Sequence, residues 1–119
     1  MPSPSLVLSI DDDQLMLKYE KEFLEGFGHA VLTASSGAEG LKLASLHSVG
    51  IAILDSEMPG MSGADVAAEI RQIMPRALII MLSGADVPAH AWSLADTFVE
   101  REHFGSRLLP TVAVLTAAL

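Results

Sequence analysis

The 119-residue chain contains no cysteine, which excludes disulfide bonds, thiolate metal sites and cysteine nucleophiles. Aromatic residues make up only 5% of the sequence, so its core must be built from aliphatic side chains. Basic residues are scarce as well: seven Lys and Arg stand against fifteen Asp and Glu, for a net charge of −8. Because phosphate backbones bind proteins through cations, this balance argues against nucleic acid as a direct partner.

Long apolar runs are also missing. The longest, residues 77–82, is far too short to cross a bilayer, and the first five residues lack the charge and apolar stretch of a signal peptide. We therefore expect a cytoplasmic protein with no membrane partner. Its length suits one domain, residues 6–119, behind a flexible tail at residues 1–5.

Short apolar segments alternate with segments of helical spacing. The predicted strands are residues 6–10, 30–34, 49–54, 77–82 and 97–100. The predicted helices are residues 14–27, 36–46 and 64–74, a short helix opening near residue 86, and residues 106–119. Five successive βα units predict an α/β fold, a doubly wound five-stranded parallel sheet in the flavodoxin-like order 2-1-3-4-5.

Polar residues stand where the predicted strands end. They are Asp11, Asp12 and Asp13 after strand 1, Asp55 after strand 3, Ser83 after strand 4 and Arg101 after strand 5. Parallel strands share one carboxyl edge, so these side chains are expected in the crevice where such folds bind ligands. Crowded carboxylates favour a hard cation, and oxygen ligands without cysteine indicate Mg²⁺ or Mn²⁺. Asp13 is the expected N-cap of the first helix.

This set of residues suits phosphoryl transfer. Asp55 beside a metal held by Asp11 and Asp12 can act as a nucleophile toward phosphorus, giving an aspartyl phosphate. Catalysis of such a transfer is mostly positioning and charge neutralisation. Ser83 can donate its hydroxyl to a phosphate oxygen, and Arg101 offers a cation.

The same segments resemble the signatures of response regulator receiver domains. Residues 9–13 (Ser-Ile-Asp-Asp-Asp) resemble the acidic end of strand 1, and residues 53–63 (Ile-Leu-Asp-Ser-Glu-Met-Pro-Gly-Met-Ser-Gly) the phosphoacceptor segment. Residues 82–84 resemble the Ser/Thr switch position, and residues 95–101 the run into strand 5 and the family's lysine. The resemblance covers nearly the whole chain.

The resemblance implies a two-component signalling switch rather than an enzyme. A histidine kinase or phosphotransfer protein would phosphorylate Asp55 in a Mg²⁺-dependent reaction, and output would pass through the face made by helix 4, strand 5 and helix 5. Glu57 would supply a backbone carbonyl to the metal and tune dephosphorylation. Ser83 and Phe98 would act as the switch residues.

Two departures from the family pattern affect this expectation. Arg101 stands where the family has lysine, and no lysine follows Lys42. Arginine keeps the charge but spreads it over a planar fork, so phosphorylation or switching could weaken. The stretch between Ser83 and Arg101 is also roughly four residues short for the family, although a parallel crossover needs about a dozen. Helix 4 should therefore be short or irregular.

Other interpretations stay open. A pseudo-receiver would bind partners without phosphorylation, and a metal-dependent phosphohydrolase would use the same aspartyl nucleophile, with Glu57 where its general acid usually stands. Single residues also have simpler roles: Ser83 as a strand-end hydroxyl, Arg101 as a surface cation paired with a neighbouring glutamate, and Phe98 as core.

Two apolar stripes recur at helical spacing. The first lies in helix 1 and consists of Leu15, Tyr19, Phe23 and Phe27. The second lies in the last helix and consists of Leu108, Leu109, Val112, Leu115 and Leu119. The opposite face of the last helix is uncharged and rich in small residues, which indicates an interface. The resemblance to receiver domains favours a homodimer through the helix 4–strand 5–helix 5 face, and a partner protein or a continuation of the chain is the alternative occupant.

Overall fold

The computed structural model describes residues 6–83, 93–101, 107–108 and 110–112. The helices and strands, in chain order, are β1 (Val7–Ile10), α1 (Gln14–Glu25), β2 (Val31–Ala34), α2 (Gly37–Leu46), β3 (Ile51–Asp55), α3 (Gly63–Ile73), β4 (Leu78–Ser83) and β5 (Thr97–Glu100). Residues 107–108 and 110–112 are helical. The helix predicted near residue 86 and most of the last predicted helix lie outside the described residues.

The five strands form one parallel sheet in the order β2-β1-β3-β4-β5, which confirms the predicted fold class and strand order. In the register of the central strands, Val7 pairs with Val31 on one side and with Ile51 on the other. At the carboxyl edge Asp55 pairs with Leu82. Within the described residues, no helix is long and apolar enough to cross a membrane.

The core has two layers because helices cover both faces of the sheet. Leu8 and Ile10 of β1 belong to the layer beneath α2 and α3, whereas Val7 points the other way and packs with Leu24 of α1. A parallel strand that is buried on both faces gains nothing from polar alternation, so its sequence is continuously apolar. This is why β1 and β3 are readable from the sequence as short apolar runs.

Side-chain caps define where the helices begin. Asp13 accepts hydrogen bonds from the backbone N–H groups of Leu15 and Met16, which confirms it as the N-cap of α1. α3 begins with a capping box, in which Ser62 and Asp65 each accept from the other's backbone N–H.

The buried face of α1 is not the face that carries its apolar stripe. Its buried residues are Leu17, Glu20 and Leu24, at the spacing of one inward face. The stripe noted in the sequence, here called the α1 stripe, consists of Leu15, Tyr19, the partly buried Phe23 and Phe27, which lies two residues beyond the end of α1. Leu15, Tyr19 and Phe27 are each more than half exposed. The rings of Phe23 and Phe27 pack together, with centroids 5.8 Å apart.

Candidate functional site: an acidic cluster at the carboxyl edge of the sheet

The predicted site residues meet at one edge of the sheet. Asp11 directly follows β1, Asp55 ends β3, Ser83 ends β4 and Arg101 directly follows β5. Because β1, β3, β4 and β5 are neighbours in the sheet, four adjacent strand ends each bring one polar residue to this edge. Asp11, Asp55 and Ser83 are all buried, at 1%, 2% and 7% exposure, so these side chains are shielded from solvent at the edge of the sheet.

Three carboxylates converge at this edge of the sheet. Oxygen atoms of Asp11, Asp12 and Asp55 lie within 4.8 Å of one another. Asp12 is exposed, and the other two are buried. Asp11 Oδ1 accepts a hydrogen bond of 2.9 Å from the backbone N–H of Asp13, which fixes the carboxylate at the start of α1.

Arg101 neutralises the buried pair. Its Nη1 lies 2.5 Å from Asp55 Oδ1, and its Nη2 lies 3.4 Å from Asp11 Oδ2. The second distance is an ion-pair contact too long for a good hydrogen bond, and within the described residues Asp11 Oδ2 has no hydrogen-bond partner. The guanidinium therefore occupies the position at which the resemblance predicts the cation. The interpretation of Arg101 as a plain surface cation does not describe this geometry.

Burial and charge set the protonation of this cluster. Burial raises the pKa of Asp11 to about 6; the Asp13 N–H opposes this rise, the charge of Asp55 adds to it and that of Arg101 opposes it. Burial lowers the pKa of Arg101, but its hydrogen bond to Asp55 and the two carboxylate charges outweigh burial and raise the pKa overall. Asp11 is therefore held less firmly ionised than a free aspartate, as expected for a carboxylate that a cation would stabilise.

The loop after β3 holds the Asp55 carboxylate in place. The backbone N–H of Glu57 donates to Asp55 Oδ1 at 3.2 Å, and the N–H of Gly63 donates to the Ser56 carbonyl at 3.2 Å. A side-chain carbon at Gly63 would overlap the Asp55 carbonyl oxygen, so only glycine allows α3 to start this close. Gly60 turns the loop with a φ of 84°, in the left-handed region.

The remaining predicted site residues are Ser83, Phe98 and Glu57, and they lie at different depths. Ser83 lies in register with Glu100 of β5, one residue beyond the Leu82–Asp55 pair. Phe98 is partly buried and packs against the α2–α3 layer. The side chain of Glu57 is exposed and is not among the converging carboxylates of the described residues, so its contact with the cluster is through its backbone N–H.

Glu20 is a buried acid that the sequence patterns above do not single out. It lies on the inward face of α1 at 1% exposure, and neither carboxylate oxygen has a hydrogen-bond partner among the described residues. Burial raises its pKa to about 8; the charges of Asp11 and Asp55 add to the rise, and Arg101 opposes it. Leu17, Glu20 and Leu24 have the spacing of one helix face, but that spacing does not by itself mark the face as buried.

The donor set fits a hard divalent cation. Three carboxylates converge, all available donors are oxygens, and a buried oxygen of Asp11 lacks a hydrogen bond within the described structure. Such ligands suit Mg²⁺ better than soft metals. The structure therefore contains an acidic cluster that can hold a metal ion.

Comparison with known proteins identifies the domain. The sequence profile of the response regulator receiver domain matches residues 7–97. The chain belongs to the response regulator receiver family. Its relatives include the transcriptional regulatory protein KdpE of Mycobacterium tuberculosis, which is 34% identical over 121 residues. That alignment covers 96% of this receiver domain but 54% of KdpE, so the chain spans about half the length of this curated relative.

Solved structures agree with the receiver fold. Response regulator TrrA of Thermotoga maritima, in complex with Mg²⁺-BeF, is 33% identical, with a TM-score of 0.85 over 93% of this chain and 98% of that chain. TrrA in complex with histidine kinase ThkA is also 33% identical, with a TM-score of 0.84 over 93% of this chain and 97% of that chain. This receiver domain therefore shares its fold with a regulator that has been seen bound to a kinase.

Proposed function

We propose that this receiver domain accepts a phosphoryl group on Asp55 from a histidine kinase or phosphotransfer protein, and that the product controls a signalling output. The observation that carries the proposal is the buried Asp55 carboxylate, which lies between two further aspartates and the Arg101 guanidinium. Asp11, Asp12 and Asp55, with the Glu57 carbonyl, would hold Mg²⁺ or Mn²⁺. The Mg²⁺-BeF complex of TrrA supports this choice of metal.

The transfer step is a substitution at phosphorus. The bond between phosphorus and a phosphohistidine nitrogen breaks, a bond from phosphorus to an Asp55 carboxylate oxygen forms, and the nitrogen keeps the electron pair and takes a proton from solvent. When bound, the divalent cation supplies charge neutralisation for the phosphoryl group.

The chain's own residues position and neutralise the reacting groups. Arg101 and the Glu57 N–H hold Asp55 Oδ1, which orients the nucleophile before transfer. After transfer, Arg101 can keep one bond to the new dianionic group, because its fork offers several donors. Ser83, at the end of the adjacent strand, would donate its hydroxyl to a phosphoryl oxygen.

Labelling with a small phosphodonor tests this function. Acetyl phosphate with Mg²⁺ should add one phosphoryl group that intact-mass spectrometry detects and hydroxylamine removes. Asp55→Asn should lose the label and stay folded, whereas Asp65→Asn, an exposed aspartate of α3, should keep it. A label that survives in Asp55→Asn would rule out this assignment.

The α1 stripe is the surface we propose for the kinase. α1 starts directly beyond the acidic cluster, so a protein docked on Leu15 and Tyr19 would lie beside Asp55. Exposed apolar patches of this kind mark protein interfaces. The solved complex of TrrA with a histidine kinase supports a kinase as the occupant.

Two phosphodonors separate docking from chemistry. The kinase used is the one that phosphorylates the wild-type chain fastest. Tyr19→Ser should slow phosphotransfer from this kinase and leave labelling by acetyl phosphate unchanged. Leu46→Ser, a change at an exposed apolar residue on α2, is the control and should slow neither reaction. Equal kinase rates in the Tyr19 and Leu46 variants would contradict the proposed docking face.

A pseudo-receiver is the second candidate, and the Arg101–Asp55 ion pair favours it. At 2.5 Å the Arg101 guanidinium already neutralises the Asp55 carboxylate, so a metal ion would gain less by binding there. Calorimetric titration with beryllofluoride and Mg²⁺ separates the two functions. Binding supports the phosphorylated switch, and absence of binding supports the pseudo-receiver.

The remaining assignments are proposals about the context of the domain. We expect a cytoplasmic switch rather than an enzyme, with a tail at residues 1–5, a receiver at residues 6–119 and no nucleic-acid contact by this domain. The proposed homodimer uses helix 4, β5 and helix 5, and residues 84–92, 102–106, 109 and 113–119 of that face lie outside the described residues. Sedimentation with and without beryllofluoride tests it, and a monomer in both states would rule it out.

A further inference from the structure

An arginine on α3 ties the segment before β5 to the rest of the domain. Arg71 Nη2 donates to Asp96 Oδ2 at 2.6 Å, and its Nη1 donates to the Ala77 carbonyl at 2.7 Å. Its Nε donates to the Leu94 carbonyl at 3.3 Å. One guanidinium therefore joins the last turn of α3, the residue before β4 and the two ends of residues 94–96. We call Arg71 and Asp96 the β5 clamp.

Asp96 is also fastened to β4. Its Oδ2 accepts a second hydrogen bond, of 2.7 Å, from the backbone N–H of Ile79. Its own backbone N–H donates to the Ile79 carbonyl at 2.8 Å. Asp96, the residue directly before β5, is therefore bonded both to α3 through Arg71 and to β4 through Ile79.

The clamp acts on a short edge strand, whose register is also held by the packing of Phe98 and the burial of Val99. β5 has four residues, lies at the edge of the sheet and pairs with β4 alone. A slip of one residue along β4 would send every β5 side chain to the opposite face. Arg101, the next residue after β5, would then leave the two carboxylates that it contacts in this register.

We propose that the β5 clamp is a positioning device for the phosphorylation site: Arg71 and Asp96 set the register of β5 so that Arg101 reaches Asp55 and Asp11. The catalytic consequence rests on the proposed phosphorylation of Asp55. The clamp serves geometry more than stability, since its side chains are 28% and 32% exposed and partly exposed ion pairs contribute little by themselves. Its value lies in the fixed fork of arginine, which meets three acceptors at once.

A double-mutant cycle tests whether the clamp acts through Arg101. Asp96→Ala should slow labelling of Asp55 by acetyl phosphate roughly tenfold, the effect of losing about one charge-assisted hydrogen bond. Asp96→Asn keeps an acceptor for Ile79 and should recover most of the rate. In an Arg101→Ala background, Asp96→Ala should cause no further loss.

The control removes an ion pair of similar length elsewhere. Glu25→Gln breaks the Lys21–Glu25 pair of 2.8 Å on α1 and should leave labelling by acetyl phosphate unchanged. A wild-type rate in Asp96→Ala, or an equal loss with and without Arg101, would overturn the proposal. An equal loss in both backgrounds is what a general loss of structure predicts.

Hydrogen exchange decides the positioning claim without any phosphorylation. The amides of Phe98 and Glu100, which face β4 on the same side as the Asp96 amide, should exchange roughly tenfold faster in Asp96→Ala, while the β1 amides should not change. Unchanged β5 exchange would overturn the clamp. If the wild-type chain accepts no phosphoryl group but the β5 amides respond as expected, the proposed function fails and the positioning of β5 by Asp96 stands.

Discussion

Replacing Glu20 with glutamine should stabilise the domain in a way that depends on pH. Glu20 is buried on the inward face of α1 without a hydrogen-bond partner among the described residues. Its pKa rises from 4.5 to about 8, mainly because burial penalises the charged form. The folded protein therefore holds a proton on Glu20 at neutral pH that the unfolded chain releases.

The sign and the size follow from proton linkage. Between pH 4.5 and pH 8 the folded state binds more protons than the unfolded state, so the free energy of unfolding falls as pH rises. Each pH unit in that window removes about 1.4 kcal/mol, which gives a loss of roughly 3 kcal/mol at pH 7. Glutamine has nearly the shape of the protonated acid and carries no proton to lose. Glu20→Gln should therefore match the wild-type protein near pH 4 and exceed it by roughly 3 kcal/mol at pH 7.

Urea denaturation at a series of pH values measures this difference directly. The free energies of unfolding of wild-type, Glu20→Gln and Glu22→Gln proteins are compared at each pH by linear extrapolation. Glu22 is exposed on the same helix, so its variant should differ from wild type by a small amount. Asp11 also titrates in part of this range, but it does so in all three proteins. A Glu20→Gln difference that stays flat between pH 4 and pH 8 would refute the reasoning.

Three further predictions concern the acidic cluster and its surroundings. Asp12→Ala should raise the melting temperature of the metal-free protein by relieving carboxylate repulsion, and should abolish stabilisation by Mg²⁺; an unchanged Mg²⁺ response would exclude Asp12 as a ligand. Arg101→Lys should keep or improve labelling of Asp55 by acetyl phosphate and Arg101→Ala should reduce it, whereas equal rates in all three proteins would show that the cation is dispensable. Gly63→Ala should destabilise the domain by roughly 2 kcal/mol in urea denaturation, because the new carbon overlaps the Asp55 carbonyl; wild-type stability would show that the loop can move aside.

The sequence predicts the fold well because local and long-range signals agree. Strands buried on both faces read as apolar runs, and each observed strand starts or ends within two residues of its prediction. The acids Asp11 and Asp55 stand at strand ends, so the strand order alone brings them together. The strand-end position of Arg101 also placed it at the cluster, although its type departs from the family lysine.

Features that depend on which side of an element faces the core are harder to predict. The α1 stripe has helical spacing, but spacing does not tell an inward face from an outward one, and Leu15, Tyr19 and Phe27 prove to be more than half exposed. The burial of Glu20 is not predictable from the sequence, because an acid on a helix usually faces water. The contact between Arg71 and Asp96 joins residues 25 positions apart on different elements, and no local pattern signals such a pair.

A crystal structure of the domain with Mg²⁺ and beryllofluoride tests the central claim most directly. We expect beryllofluoride bonded to a carboxylate oxygen of Asp55, a metal ion held by Asp11 and Asp12, and Ser83 and Arg101 in contact with the fluorides. A structure grown in the same solution with no beryllofluoride on Asp55, and with Arg101 still paired to its carboxylate, would contradict phosphorylation as the function of this site.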